Sequence, residues 1–160
     1  ALLALSATVK VCSATANRLV TVKELYESHP SKVIAKNEII TKIYIPKTTA
    51  GSAFIKFAKT EVDYSILNIA AQISLAEDGT IAEATLALGA VAPLARRLSG
   101  VEAFLRGKTP TDERLTNAAS LAADAITYRS DFRVSAEYQR DLVRVHTVRV
   151  LEEALKDSRE

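Results

Sequence analysis

The sequence has very few residues of the kinds that build disulfide frameworks and metal sites. Its single cysteine, Cys12, excludes an internal disulfide and a cluster of thiolate ligands. Its two histidines, His29 and His146, have no carboxylate or thiol at a spacing typical of metal ligands. We therefore predict no metal site. We expect Cys12 to be an inert thiol in an apolar strand and His146 to lie on a helix surface.

The chain also lacks a charge excess and a long hydrophobic run. Its 21 Lys and Arg against 19 Asp and Glu leave a formal net charge of +2, and the basic residues are scattered. Binding of nucleic acid is therefore not expected. The apolar residues 1–5 follow no basic residue, and Lys10 interrupts the run, so we predict neither a signal peptide nor a membrane anchor.

Methionine is absent, even at position 1, which leads us to expect a chain excised from a longer protein. The chain has 160 residues, of which 48% are apolar, and this is enough to bury a core. The length corresponds to one domain, or to one domain plus a fragment of a neighbour.

The first 48 residues predict a short β-rich fragment of a neighbouring domain. Apolar runs typical of strands occupy residues 8–12, 19–22 and 39–45. Three short strands bury too little apolar surface to fold alone, so the fragment should pack against the rest of the chain or a second copy. The small residues at 47–51 mark the boundary, which divides the chain into residues 1–48 and 49–160.

A β-hairpin is the clearest local prediction after that boundary. Residues 65–75 alternate apolar and polar side chains, which is typical of a strand with one buried face. Asp78-Gly79 can adopt the positive φ angles of a tight turn, and residues 81–91 return as a second apolar strand. An antiparallel sheet is therefore predicted.

Three helical patterns follow the strands. They begin at Pro93, at Thr109, which should cap the second helix, and near Ser135. The apolar stripe of the third includes Tyr138 and Val145. Strands followed by helices, without βαβ alternation, predict an α+β fold. In it an antiparallel sheet is covered on one face by three helices and preceded by the β-rich fragment.

Four stretches of the sequence occur in the order in which a known family has them. They are residues 37–46 (NEIITKIYIP), residues 54–56 (FIK) with residues 63–66 (DYSI), residues 87–93 (ALGAVAP) and residues 131–140 (DFRVSAEYQR). Together they resemble the flavoprotein of molybdenum hydroxylases, the group of carbon monoxide dehydrogenase and xanthine dehydrogenase. The similarity is to its C-terminal domain plus the tail of its FAD-binding domain.

The resemblance implies a function in electron transfer for the full-length protein. Proteins of this family carry FAD, take electrons from iron–sulfur centres fed by a molybdenum site, and pass them to NAD or another acceptor. The implied partners are a molybdenum-binding large subunit, an iron–sulfur small subunit and the missing N-terminal FAD-binding part. A cytoplasmic location is expected, a homo-oligomer is left open, and the isolated chain is expected to be inactive.

Three side chains lie beside the flavin if the resemblance holds. It implies Ile40 against the ring system, Lys56 near the ring or the phosphates, and Asp63 near the isoalloxazine edge, with no catalytic residue and no metal ligand. The residues by themselves are explained as well by a core isoleucine, an exposed strand lysine and a carboxylate at a turn. Both interpretations stay open from the sequence.

Two departures from the family pattern bear on cofactor binding. Lys59 and Thr60 stand where the family usually has arginines, which reduces the positive charge between Lys56 and Asp63. The five glycines are isolated, whereas a diphosphate needs backbone N–H groups brought close by adjacent glycines. FAD is therefore expected in the full-length protein and weakly or not at all in this chain alone.

A non-catalytic protein-interaction domain is the alternative function, with the sheet face or the third helix as the binding surface. An independent hydrolase is poorly supported, because no Ser, His and acidic residue form a recognisable nucleophile arrangement.

Overall fold

The computed structural model describes residues 1–159, whose strands form two antiparallel sheets. The strands are β1 (Thr8–Cys12), β2 (Asn17–Thr21), β3 (Ile39–Tyr44), β4 (Gly51–Phe57), β5 (Leu67–Leu75), β6 (Ile81–Gly89) and β7 (Arg96–Arg97). The helices are α1 (Val22–Glu27), α2 (Ser99–Leu105), α3 (Asp112–Asp124) and α4 (Ala136–Asp157), with a 3-10 turn at Pro30–Lys32. The first sheet has the order β2-β1-β3 and the second the order β4-β5-β6-β7.

Hydrogen bonds made by side chains connect strand β2 to helix α1 and to the segment that precedes β3. The Thr21 hydroxyl accepts from the Glu24 backbone N–H at 3.1 Å, and the Glu24 carboxylate accepts from the Thr21 N–H at 2.7 Å, which caps α1. The Glu38 carboxylate accepts from Nε and Nη2 of Arg18 at 2.9 and 2.8 Å. These hydrogen bonds lower the pKa of Glu38 to about 2. They connect β2 to the segment that enters β3.

The predicted hairpin is confirmed as β5 and β6. Gly79 has a φ of 79°, in the left-handed region, and the Asp78 carboxylate accepts from the Thr80 N–H at 2.9 Å and its hydroxyl at 2.6 Å. These hydrogen bonds lower the pKa of Asp78. Turn chemistry and strand alternation therefore agree at this point.

The helices cover one face of the four-stranded sheet. Helix α4 lies on β4 and β5, α2 lies on β6, and α3 packs against α4 and α2. Ile69, Ile73 and Leu86 are fully buried in the core between these layers. The predicted α+β fold is confirmed. None of the helices within residues 1–159 is long and apolar enough to cross a membrane.

The N-terminal part of the chain covers the opposite face of the same sheet. Leu3 and Ala4 share a buried cluster with Ala70 and Ala87, which are paired across β5 and β6. The Thr85 hydroxyl donates to the Ala4 carbonyl at 2.8 Å. Residues 1–48 therefore pack on the sheet as expected, while the division into 1–48 and 49–160 stays a prediction.

The first predicted helix begins later than Pro93. Arg96 and Arg97 form β7, which pairs with Leu88 and Ala87 of β6, so the chain becomes helical only at Ser99. Arg97 donates from Nε and Nη2 to the buried Glu102 carboxylate, both at 2.8 Å. The same carboxylate accepts from the Leu86 N–H at 3.0 Å. Glu102 thus fixes the extended segment, a contact that helical periodicity does not reveal.

The predicted cap of the second helix lies two residues before the observed one. Thr111, not Thr109, is the N-cap, since its hydroxyl accepts from the Arg114 N–H at 3.2 Å. Asp112 and Glu113 lie in the first turn, as predicted.

The buried face of α4 differs from the predicted stripe. Tyr138 and Val145 are 49% and 46% exposed, whereas Gln139, His146 and Thr147 are buried. The placement of His146 on the helix surface was therefore wrong. The inward face of α4 therefore carries three polar side chains among apolar residues such as Val143 and Val150.

The start of β4 meets the end of α4 without space for a side chain. A Cβ atom at Gly51 would lie 2.1 Å from the Ser158 nitrogen and 2.2 Å from the Ala154 carbonyl oxygen. The next residue, Ser52, donates its N–H to the Asp157 carboxylate at 2.8 Å. Only glycine fits this approach of two backbones.

Gly51→Ala should lower the free energy of unfolding by about 2 kcal/mol or more, because the backbones of β4 and α4 must separate. Denaturant unfolding measures the change. Gly100→Ala is the matched control: it lies in α2 with nothing within 4 Å of its Cβ position, and it should be neutral or stabilising by about 0.5–1 kcal/mol. Equal midpoints for Gly51→Ala and the wild type would contradict the close contact.

His146 should make stability depend on pH. Burial, and then the positive charge of Arg149, lower the pKa of His146 below its usual 6.5. The unfolded chain therefore binds this proton more readily, so the contribution of His146 is complete above about pH 6.5 and is lost as the pH falls below it. On acidification, the wild type should therefore lose more free energy of unfolding than His146→Phe does. Denaturant titrations of both proteins at several pH values measure this difference. Thr147→Val is the control, and an identical shift in both variants would contradict the assignment.

Candidate functional site

The loop of residues 58–66 joins β4 to β5 and has a closed neck. The Ile66 N–H donates to the Phe57 carbonyl at 2.8 Å where the two strands meet. Within the loop, the Asp63 N–H donates to the Thr60 carbonyl at 3.2 Å, and Lys56 Nζ donates to the Glu61 carbonyl at 2.8 Å. Lys56 therefore supports the loop that presents Asp63.

A second loop, residues 129–134, faces the first. The Asp131 carboxylate accepts from the backbone N–H of Arg133 at 2.8 Å and of Val134 at 3.1 Å, and from Nη2 of Arg133 at 2.6 Å. The Arg133 side chain, with these backbone donors, lowers the pKa of Asp131. The Arg133 guanidinium lies 5.8 Å from the centre of the Phe132 ring. Asp131 thus orders the loop and holds Arg133 beside Phe132.

A cavity of about 240 Å³, open to solvent on one side, lies between the two loops. It is lined by Lys59, Asp63, Tyr64, Ile66, Phe132 and Arg133. The Tyr64 and Phe132 side chains are 90% and 95% exposed, which is unusual for aromatic residues. Two cations, one carboxylate and two exposed rings suit a flat aromatic ligand that carries polar groups at its edge.

The structure brings two of the three predicted site residues together. Lys56 lies on β4 and donates to Glu61 of the loop that carries Asp63, and Asp63 lines the cavity. Ile40 lies on β3 of the first sheet, opposite Val11, and is 47% exposed. Within residues 1–159 it is not part of the cavity lining. Its predicted position beside the flavin stays a prediction.

Four residues of this lining, Tyr64, Ile66, Phe132 and Arg133, were not predicted as site residues from the sequence. Tyr64 and Phe132 are aromatic residues in segments without helical or strand periodicity, which is a signal for exposed, non-core rings. The pairing of the two loops depends on the packing of α4 on β4, and the sequence does not show it.

A larger cavity of about 430 Å³ lies between α1 and the entry to α2. Its walls include Lys23 and Glu27 of opposite charge, and Arg97, which is paired with Glu102. With Arg96, the lining carries three cations and two carboxylates. Its one aromatic residue is Tyr26, whereas the cavity between the two loops presents two highly exposed rings.

Side chains that commonly bind metals are dispersed within the described part of the chain. No group of three His, Cys, Asp or Glu side chains within residues 1–159 is arranged to hold a metal ion. Cys12 is partly exposed, and its thiol lies 3.1 Å from the Thr41 hydroxyl.

The glycines test whether this chain could also hold the diphosphate of a dinucleotide. Gly51 is packed against the backbone of α4, and Gly79 and Gly107 adopt positive φ angles in turns. Gly89 ends β6 and Gly100 lies in α2. The described residues thus fit the ring of a flavin and provide no glycine-rich phosphate loop.

Comparison with known proteins places the chain in a family. Residues 52–154 match the model of the CO dehydrogenase flavoprotein C-terminal domain. The matched segment runs from β4 almost to the end of α4 and includes both loops of the cavity. The chain belongs to this family, and the resemblance found from its sequence motifs is confirmed.

Curated relatives are similar over nearly the whole chain. The nicotine 6-hydroxylase medium subunit of Paenarthrobacter nicotinovorans is 32% identical over 153 residues, which are 96% of this chain and 54% of that protein. The glyceraldehyde dehydrogenase medium chain of Sulfolobus acidocaldarius is 29% identical, over 95% of this chain and 54% of that protein. The chain thus spans about half the length of these relatives.

Solved structures show the same fold. Quinoline 2-oxidoreductase from Pseudomonas putida 86 superposes with a TM-score of 0.89 and 26% identity, covering 99% of this chain and 55% of that one. Carbon monoxide dehydrogenase from Hydrogenophaga pseudoflava gives a TM-score of 0.89 and 25% identity, covering 98% and 55%. The architecture shared with these structures therefore includes residues 1–48 in addition to the segment that matches the family model.

Proposed function

We propose that this chain forms the ring-facing half of an FAD-carrying subunit in an electron-transferring oxidoreductase of the molybdenum hydroxylase type. The observation that carries the proposal is the cavity between the 58–66 and 129–134 loops, in a chain that belongs to this flavoprotein family. When bound, FAD supplies the electron-carrying chemistry. The protein supplies binding, orientation and local charge.

Each residue of the cavity has a distinct part in this proposal. Tyr64 and Phe132 provide flat apolar surface for the ring, and Lys59 provides positive charge at its edge. Asp63 places a carboxylate there, which disfavours the reduced, negatively charged ring. Lys56 acts by holding the loop at Glu61, and Ile40 is proposed to approach the ring from the first sheet.

The partners and the electron acceptor are also proposals. Two relatives are named as a medium subunit and a medium chain, and these names fit an assembly of several subunits. We propose a molybdenum-binding large subunit and an iron–sulfur small subunit as neighbours, and NAD or another acceptor as the electron sink. A cytoplasmic location belongs to the same proposal.

A protein-interaction domain is the alternative, and the exposed apolar side chains of the first sheet favour it. Ile39 and Ile43 of β3 are 67% and 52% exposed. Purification of the full-length protein distinguishes the two functions, because bound oxidised flavin makes the protein yellow. A colourless full-length protein that takes up no added FAD would favour the interaction domain.

Asp63→Ala in the full-length flavoprotein should leave FAD bound and raise its reduction potential. Removal of a negative charge beside the ring favours the reduced form, by on the order of 30 mV, or about 1.4 kcal/mol for two electrons. Spectroelectrochemical titration measures the shift. Glu77→Ala makes the same charge change at the distant hairpin turn and should leave the potential unchanged. Equal potentials in Asp63→Ala and wild type would remove Asp63 from the site.

A further inference from the structure

Helix α4 buries three polar side chains, each with one atom that has no hydrogen-bond partner among the described residues. Gln139, His146 and Thr147 are 5%, 6% and 0% exposed. Gln139 Oε1, His146 Nδ1 and Thr147 Oγ1 have no partner among the described residues. Burial of an unpaired polar atom is unfavourable, so each of these side chains calls for a reason beyond core packing. For His146, the neighbouring ring supplies that reason.

The His146 ring lies against Phe57. Their centres are 5.2 Å apart with an angle of 47° between the planes. The Tyr138 ring lies 6.5 Å from the same phenylalanine at 69°, in an edge-to-face arrangement. Tyr138 and His146 are two turns apart on α4, so together they hold one phenylalanine of the sheet between them.

Phe57 is the residue from which the 58–66 loop departs. It is the last residue of β4, pairs with Leu67 at the start of β5, and accepts a hydrogen bond from the Ile66 N–H. The chain therefore leaves and re-enters the sheet beside this ring. A shift of Phe57 moves both ends of the loop together.

We propose that Phe57, held between Tyr138 and His146, is the anchor that sets the position of the 58–66 loop. His146 is then a positioning residue: it acts through Phe57 on Lys59 and Asp63, which line the cavity. The anchoring of the loop is argued from the contacts of Phe57 with Tyr138 and His146. Any effect of His146 on a bound flavin rests, in addition, on the proposed function.

Core packing alone makes a different prediction from loop anchoring. A residue that only fills the core changes global stability and leaves the local opening of the loop unchanged. An anchor changes the local opening of the loop in particular. The amides of Asp63 and Ile66 report this opening, because the Ile66 N–H is bonded to Phe57 across the neck of the loop and the Asp63 N–H is bonded to Thr60 within it.

The test measures amide hydrogen exchange of these two residues by NMR in this chain. His146→Ala should speed their exchange about three- to tenfold, the range expected from loss of one aromatic contact. His146→Phe keeps a ring and should restore slow exchange. Leu151→Ala destabilises the buried face of the same helix away from Phe57 and should leave the loop amides unchanged. Unchanged exchange in His146→Ala, or an equal rise in Leu151→Ala, would overturn the proposal.

Phe57→Leu covers the case in which His146→Ala fails to fold, because it removes the anchored ring and keeps an apolar side chain. It should speed the same two amides, and unchanged exchange would overturn the proposal in the same way. In the full-length flavoprotein, His146→Ala should also shift the flavin potential, and His146→Phe should not. Faster loop exchange without any flavin shift would support the anchor and contradict the proposed flavin position.

Discussion

The contact between α4 and β4 fixes the position of everything that this domain can present to a ligand. At one end, Gly51 allows the strand backbone to touch the end of the helix, and Ser52 is bonded to Asp157. At the other end, Phe57 packs against His146. Because β4 is the edge strand of its sheet, it has a partner strand on one side only, and the helix supplies much of its support. The 58–66 loop extends directly from this contact.

Both faces of the four-stranded sheet are occupied, and the two cores differ in character. Large residues such as Ile69 and Ile73 fill the side under the helices, whereas Ala70 and Ala87 let the N-terminal part approach closely on the other side. Exposed apolar side chains lie on β3 of the first sheet, such as Ile39 and Ile43, and in the two loops of the cavity, which carry Tyr64 and Phe132. Contiguous exposed apolar surface is typical of interaction sites.

The sequence predicted those features of the fold that depend on residues close together in the chain. The turn at Gly79 follows from residues adjacent in sequence. The start of α2 depends on Glu102, whose carboxylate holds the preceding segment extended. Burial of His146 depends on how α4 rotates against the sheet, and the cavity depends on two loops far apart in sequence. The motifs identified Asp63, and they could not show that Phe132 lines the same cavity.

We propose above that the cavity between the two loops receives the flavin ring. Photolabelling of the full-length apoprotein with FAD that carries an azide on its ring, followed by peptide mapping, tests this position. Label is expected on residues 58–66 or 129–134. Unmodified FAD should compete and abolish the labelling. Label confined to other parts of the protein, with both loops unmodified, would contradict this position.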